Sequence, residues 1–203
     1  TYLVEAVVRT LRLGHPLSQG TVDSNELWAD VRVTDPDGTV VGRSGGLGAH
    51  KEVDPWSHFI NVYMLDKDGN RIDRRNPQDI FVPLYNNQIP PGAASVLHYR
   101  LTVPPDQKEP LTVEVKVNYR KFDTIFYNYV FGSGYTNGLP FQLTNDLPIT
   151  VLASDTVTFP IEGGDTKGLA AIEAQKSSVP PWQRWNDYGI GLFLKGDKGA
   201  EKG

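Results

Sequence analysis

Apolar and polar residues alternate with a period of two through most of the first 160 positions. Leu27, Ala29, Val31 and Val33 alternate with Asp30 and Arg32, and Leu97, Tyr99, Leu101 and Val103 with His98, Arg100 and Thr102. The most regular run sets Leu111, Val113, Val115, Val117 and Tyr119 against Thr112, Glu114, Lys116, Asn118 and Arg120. Such spacing puts apolar groups on one face of an extended strand and solvated groups on the other, as in antiparallel sheets with one wet side. Less regular runs at 2–13, 59–65, 80–85 and 147–159 add strands. Asp35-Pro36-Asp37-Gly38 and Asp66-Lys67-Asp68-Gly69-Asn70 read as hairpin turns, with Gly or Asn where φ must be positive. Pro90-Pro91-Gly92 and Pro104-Pro105-Asp106 end strands, because proline cannot donate to a ladder. Seven or more short strands without intervening amphipathic helices predict an all-β chain, an antiparallel β-sandwich, with a closed barrel as the other topology. Val4, Ala6, Val8, Leu27, Ala29, Val31, Val33, Leu101, Val113, Val115 and Val117 are expected to face one core.

The pattern changes after Pro160. Residues 162–168 are rich in Gly, Asp and Thr, and 169–176 can form a short helix or stay extended. Beyond Pro180-Pro181, residues 182–194 take helical spacing, with Trp185, Tyr188 and Leu192 on one side and Pro181 near the first turn. The chain therefore divides into a sandwich at 1–160, a linker at 161–180 and a short C-terminal helical tail at 181–203. An isolated helix of that length is marginal in water, so Trp185 and Leu192 are expected to be covered by the sandwich or a neighbouring chain.

Composition narrows the functional classes. Hydrophobic residues make up 39% of the 203 and charged residues 22%, which suits a folded domain rather than a disordered one. A net charge of −4 argues against a nucleic-acid surface, which needs clustered Lys and Arg. The longest basic run, 71–75, is interrupted by Ile72 and Asp73 and reads as a solvated hairpin face. No apolar stretch approaches the ~20 residues of a membrane span, and no signal-peptide pattern is visible. The first residue is Thr, so the chain reads as a piece of something longer. There is no cysteine, which excludes disulfides, thiolate metal sites and covalent haem attachment through C-x-x-C-H.

Candidate chemistry is sparse. Gly42-Arg43-Ser44-Gly45-Gly46 has the look of a serine nucleophile loop, but only His15 precedes it, so a flexible turn accounts for it better. Asp66, Asp68 and Asn70 have the odd-position spacing of a calcium loop, yet the sixth and twelfth positions hold Arg71 and Pro77, and a plain hairpin turn stays open beside calcium. His50, Glu52, Asp54 and His58 fall within nine residues, which suits either an oxygen and imidazole metal site or a solvated loop. His98 lies on the polar face of its strand. Trp28, Trp56, Trp182 and Trp185 supply either stacking surfaces or core. His15 differs from the other histidines: Gly14 before it and Pro16 after it fix a sharp exit from a strand and present the imidazole at the sheet's end, where haem or metal contact competes with a simple loop role. No complete enzyme active site is legible, and the chain is expected to be non-catalytic.

Several short segments together bring a family into view: Gly14-His15-Pro16 leading to Gly20-Thr21-Val22-Asp23 and Glu26-Leu27-Trp28; Asp68-Gly69-Asn70 with Arg74-Arg75-Asn76; Ile89-Pro90-Pro91-Gly92-Ala93-Ala94; His98-Tyr99-Arg100-Leu101; and Asn118-Tyr119-Arg120-Lys121-Phe122. In this order, across about residues 2–195, the sequence resembles the non-haem β-domain that follows the C-x-x-C-H-rich region of bacterial multihaem c-type cytochromes, particularly those ending in tetratricopeptide repeats. The tail, with Trp185, Tyr188-Gly189 and Leu192, is similar to the first helix of such a repeat. The resemblance implies a periplasmic or extracellular location and service in an electron-transfer assembly, beside haem c carried by a c-type cytochrome chain or an upstream segment. A His in a G-H-x-x-P-like loop of that family can ligate a neighbouring haem, and His15 inherits that role; Leu17-Ser18-Gln19 replaces the more usual Phe-Pro-Gly-like stretch. His58, on the aromatic 56–59 segment, is the reserve candidate. The competing expectation is a sandwich module that binds protein or glycan through its loops, with no redox role. A metal-dependent hydrolase at 50–58 is the third.

Overall fold

The computed structural model describes residues 1–18, 20, 22–132, 140–165, 172 and 177–194. Nine strands run through them: β1 (Tyr2–Arg9), β2 (Glu26–Thr34), β3 (Val40–Ser44), β4 (His58–Phe59), β5 (Val62–Leu65), β6 (Val82–Asn86), β7 (Ala94–Leu101), β8 (Leu111–Arg120) and β9 (Thr150–Phe159). Helix α1 (Thr124–Phe131) follows β8, and helix α2 (Pro181–Leu194) comes last. The stretch expected at 169–176, save Ile172, and the polar end from 195 lie outside the described residues, as do Gln19 and Thr21.

Every pairing is antiparallel, as the alternation predicts. Among the described residues the strands form one five-stranded sheet, ordered β3-β2-β8-β9 with β4 also on β2, and two ribbons, β1–β7 and β5–β6. The sheet does not close into a barrel. Leu27, Val31, Val33, Leu111, Val113 and Val117 share one of its faces, where the ribbon's Val4, Val8, Tyr99 and Leu101 pack against them. The single expected core resolves into two clusters along that face, one around Leu27 and Ile60, the other around Val31 and Val113. Val4, Ala6, Val8, Leu101 and Val115 are half-buried rather than buried. The ribbon is only two strands wide, so its rims stay wet, and Val115 lies opposite Asp155 of the exposed edge strand β9.

Several sequence expectations are corrected. The run 42–46 is no flexible turn: Ser44 ends β3 opposite Val31. The chain turns at Gly45, φ +81°, where any Cβ would stand 2.3 Å from the Ala29 carbonyl oxygen. Helix α1 was unexpected because TIFYNYVF is β-branched and aromatic, the composition of a strand. Asp123 overrides that preference by capping the first turn, its carboxylate accepting from the Phe126 N–H at 2.6 Å. Asn128 adds tertiary support: its amide donates to the Leu143 carbonyl and accepts from the Gln142 and Leu143 N–H groups.

Helix α2 packs on the outer face of the β1–β7 ribbon. Gly191 lies so close that a Cβ there would be 2.8 Å from Val96 Cγ2, and Leu192 and Tyr188 cover the Val96 side chain. Asp187 pairs with Arg9 at 3.3 Å, and the Tyr188 hydroxyl donates to Glu5, which also meets His98. Leu192 is covered as expected, but Trp185 is 68% exposed. The helix sets Gly191, Leu192 and Tyr188 against the ribbon and leaves Trp185 uncovered by this chain, so of the two expected covers for Trp185 the strands do not provide it.

Candidate functional site

His15 sits on a loop fixed at both ends. Upstream, the Thr10 N–H donates to the Ala93 carbonyl and its hydroxyl to that of Pro90. Downstream, the Leu17 N–H donates to the Ile89 carbonyl at 2.8 Å, and the Leu17 side chain packs on the Leu27 cluster. The Gly14-His15-Pro16 and Ile89–Ala94 segments of the resemblance therefore meet in space. Between these anchors the imidazole is exposed, with Nδ1 3.0 Å from the Pro16 carbonyl oxygen. A carbonyl only accepts, so this contact places a proton on Nδ1 and leaves Nε2 as the acceptor nitrogen of the neutral ring, the arrangement that backbone carbonyls impose on metal-binding histidines. Leu11 and Leu13, both exposed, give the loop an apolar rim. An exposed imidazole held in this way can serve as a metal ligand or a hydrogen-bonding group.

The other histidines are dispersed. His58 lies within β4, half-buried and paired with Ala29. The His50 backbone N–H donates to the Glu52 carboxylate, and the ring meets Phe141 edge-on. Asp54 accepts from the Trp56 N–H. The acids of the 50–58 loop thus hold their own backbone, and among the described residues no three His, Cys, Asp or Glu side chains group as a metal site. Asp66 likewise closes its turn, accepting from the N–H groups of Asp68 and Asn70. Trp28 is core, its indole N–H donating to the Gly45 carbonyl at 3.1 Å, whereas Trp56, Trp182 and Trp185 face solvent.

One concavity was not legible as a site. It is a cavity of about 520 Å³ on the sheet face opposite the hydrophobic clusters, lined by Glu26, Asn61, Tyr63, Arg71, Tyr85 and Asp123 among others. Of these, Glu26 forms a buried ion pair across β2 and β8, whose register sets it opposite Arg120. Arg120 donates from Nε and Nη2 to one carboxylate oxygen, Oε2, at 2.8 and 2.5 Å, and reaches the carbonyls of Lys51 and Asn145. Beside it Arg71 pairs with Asp123 at 3.3 Å and stacks over the Tyr63 ring. Arg75 donates to Ser24 and covers the rings of Phe122 and Phe126. The basic run at 71–75 is therefore no solvated hairpin face, and Arg120 is no solvated strand residue. Helix α1 and the segment around Asn145 cover the outer face at this end of β8 and bury what period two assigned to water. Two weak signals pointed there: Ile72 inside the basic run, and acids at Glu26 and Asp123 flanking the strands.

Burial dominates the electrostatics of these acids. Desolvation pushes the Glu26 carboxyl up to about 7 against the pull of Arg120, and the Asp123 carboxyl up to about 6 against that of Arg71. Both values lie above the ordinary 4.5 and 3.8, so the folded state holds these protons more tightly than the unfolded chain. The resulting stability is full below those ordinary values and is lost as pH rises through about 6 and 7. The urea midpoint is expected to fall between pH 5 and pH 8 and to fall less in Glu26→Gln. A midpoint that rises across this window would show that the arginines outweigh burial.

Among the described residues no helix is long and apolar enough to cross a membrane. No protein-family model and no curated protein matches the sequence. Among solved structures, the chain is similar to a penta-heme cytochrome c552 from Thermochromatium tepidum, with a TM-score of 0.52 and 18% identity. The likeness covers 77% of this chain and 36% of the cytochrome, so the chain spans about a third of that protein's length. At the level of fold, this antiparallel β-rich chain with helices is similar to part of a multihaem cytochrome.

Proposed function

We propose that the chain is a non-catalytic accessory module of an exported multihaem electron-transfer assembly. It packs against haem c groups carried by a c-type cytochrome chain or an upstream segment, with His15 donating an axial imidazole. The observation that carries this reading is the fold likeness to a penta-heme cytochrome. The absence of cysteine from all 203 residues directs any haem contact to a haem attached elsewhere. The His15 loop adds local support: it is anchored at both ends, rimmed by Leu11 and Leu13, and leaves the imidazole exposed with Nδ1 held by the Pro16 carbonyl. His58, half-buried and paired within the sheet, is the less accessible donor. Haem iron would supply the redox chemistry; the chain's own part is to orient one imidazole and exclude water. The sandwich arrangement, the similarity of α2 to the opening helix of a tetratricopeptide repeat, and a periplasmic or extracellular site belong to the same proposal. An alternative, a module binding protein or glycan, draws on Trp56, 91% exposed, with Trp182 and Trp185.

His15→Ala in the intact assembly provides the test. One low-spin haem is expected to turn high-spin, with a shifted reduction potential, while the fold is unchanged because the ring makes no tertiary contact the core needs. An unchanged low-spin spectrum and potential would end the ligand role. Saturable glycan binding by an assembly without haem absorbance would favour the alternative.

A further inference from the structure

The cavity holds polar groups that the fold leaves unused. Asn25 and Asn61 both line it, both are more than nine-tenths buried, and neither side-chain oxygen accepts a hydrogen bond. A buried acceptor without a donor is destabilising, so two at one cavity mark an unmet demand rather than a packing necessity. Glu26 adds a third: Arg120 occupies Oε2 twice, and among the described residues none donates to Oε1. Among the described residues the rest of the lining mixes apolar and aromatic side chains, such as Val53, Ile125 and Phe141, with charge that is mostly acidic. Glu52, Asp73 and Asp123 join Glu26, against Arg71 as the lone basic lining residue among those described. Tyr63 and Tyr85, with ring centroids 5.4 Å apart, form one wall, and the Arg71 guanidinium already rests 5.0 Å from the Tyr63 centroid. The wall thus has the ring faces and the charge environment that hold a nitrogen cation.

Every unmet group here is an acceptor, and the charge surplus is negative. We infer that the cavity binds an organic cation bearing N–H donors, a primary ammonium or a guanidinium. The donors satisfy the Asn25 and Asn61 oxygens and Glu26 Oε1, and the cation lies against the tyrosine faces. A bare metal ion suits the site less well, because aromatic rings and Arg71 occupy the wall where further oxygen ligands would be needed. The same head group can come from a free small amine or from a Lys or Arg side chain of a partner. This assignment does not depend on the haem-associated role.

The test is a titration of the full chain at constant ionic strength, followed by thermal shift and by NMR of the Asn side-chain amides. The probes are spermidine, a Gly-Gly-Lys-Gly-Gly peptide and tetrabutylammonium. Saturable binding of the first two, with the Asn25 and Asn61 signals moving, is expected; tetrabutylammonium, which has no N–H, is expected to bind at least tenfold more weakly. Tighter spermidine binding assigns a free amine, and tighter peptide binding a partner side chain. Asn61→Leu removes no hydrogen bond from the side-chain oxygen. It is expected to leave the midpoint of thermal unfolding equal or higher and to weaken binding at least tenfold; Tyr85→Leu serves as the second variant. No saturable binding of either N–H probe, or binding undiminished in both variants, would overturn the inference.

Discussion

Replacing Arg120 with alanine is expected to destabilise the protein by about 3–5 kcal/mol, the range for removing one partner of a buried ion pair. The guanidinium is fully buried and ties three separated segments together: Glu26 of β2, the Lys51 carbonyl, and the Asn145 carbonyl. Its loss would leave Glu26 buried without a counter-charge and two carbonyls without donors. An exposed salt bridge would not behave so; Lys116 with Glu114, both partly exposed, belongs to the class worth at most about 1 kcal/mol. The decisive comparison is the double variant Glu26→Leu with Arg120→Met, which removes both charges and keeps the volume. It is expected to recover most of the loss, because the cost of a buried pair lies in breaking it rather than in lacking it. Urea unfolding at pH 8, above the value of about 7 to which burial pushes the Glu26 carboxyl, measures both. A loss below about 1 kcal/mol in Arg120→Ala would show that the pair is not closed off from water.

Gly45→Ala is expected to cost about 3 kcal/mol or more, although it adds a single methyl group. Two effects combine there. The backbone is left-handed at φ +81°, unfavourable for an L side chain by about 1–2 kcal/mol. The new Cβ would also meet the Ala29 carbonyl oxygen at 2.3 Å and the Asp30 Cα at 2.7 Å, backbone atoms of the central strand β2 that cannot swing aside. Relief requires β3 to move off β2, which breaks the bond from the buried Trp28 indole to the Gly45 carbonyl. Gly38 is the control: its φ is +83° but no atom lies within 4 Å of a built Cβ. Gly38→Ala is therefore expected to lose only the backbone term. Equal losses at the two positions would mean that the close approach at Gly45 carries no energy. Chemical unfolding of both variants decides the point.

The two residues also show where sequence reading stops. Arg120 follows Tyr119 at the end of the most regular alternating run, and by period alone it belongs to the wet face. The register did bring Glu26 opposite it, but nothing in either strand announces that a helix and a distant loop will cover that face. His15 is the contrary case. Gly14 and Pro16 act through local backbone geometry, so the exposed imidazole was readable directly, and the loop anchors at Pro90 and Ile89 added only its rigidity. The cavity acceptors lay beyond reach, since Asn25 and Asn61 are far apart in sequence and ordinary in type.

By itself the sequence determined the antiparallel β character, the two hairpin turns at Asp35–Gly38 and Asp66–Asn70, the terminal helix and the exclusion of self-attached haem. These rest on side-chain period, on the dihedral freedom of glycine and proline, and on the absence of cysteine, all of which act within a few residues of chain. Only the tertiary structure decided how the strands divide into a five-stranded sheet and two ribbons, and that TIFYNYVF is helical beside Asn145. It also decided which polar residues become interior. A strand's own pattern specifies one buried face; whether the second face is also covered depends on segments that arrive from elsewhere. At Val96 it is α2 that covers it, and at Arg120 it is α1 with the loop at Asn145.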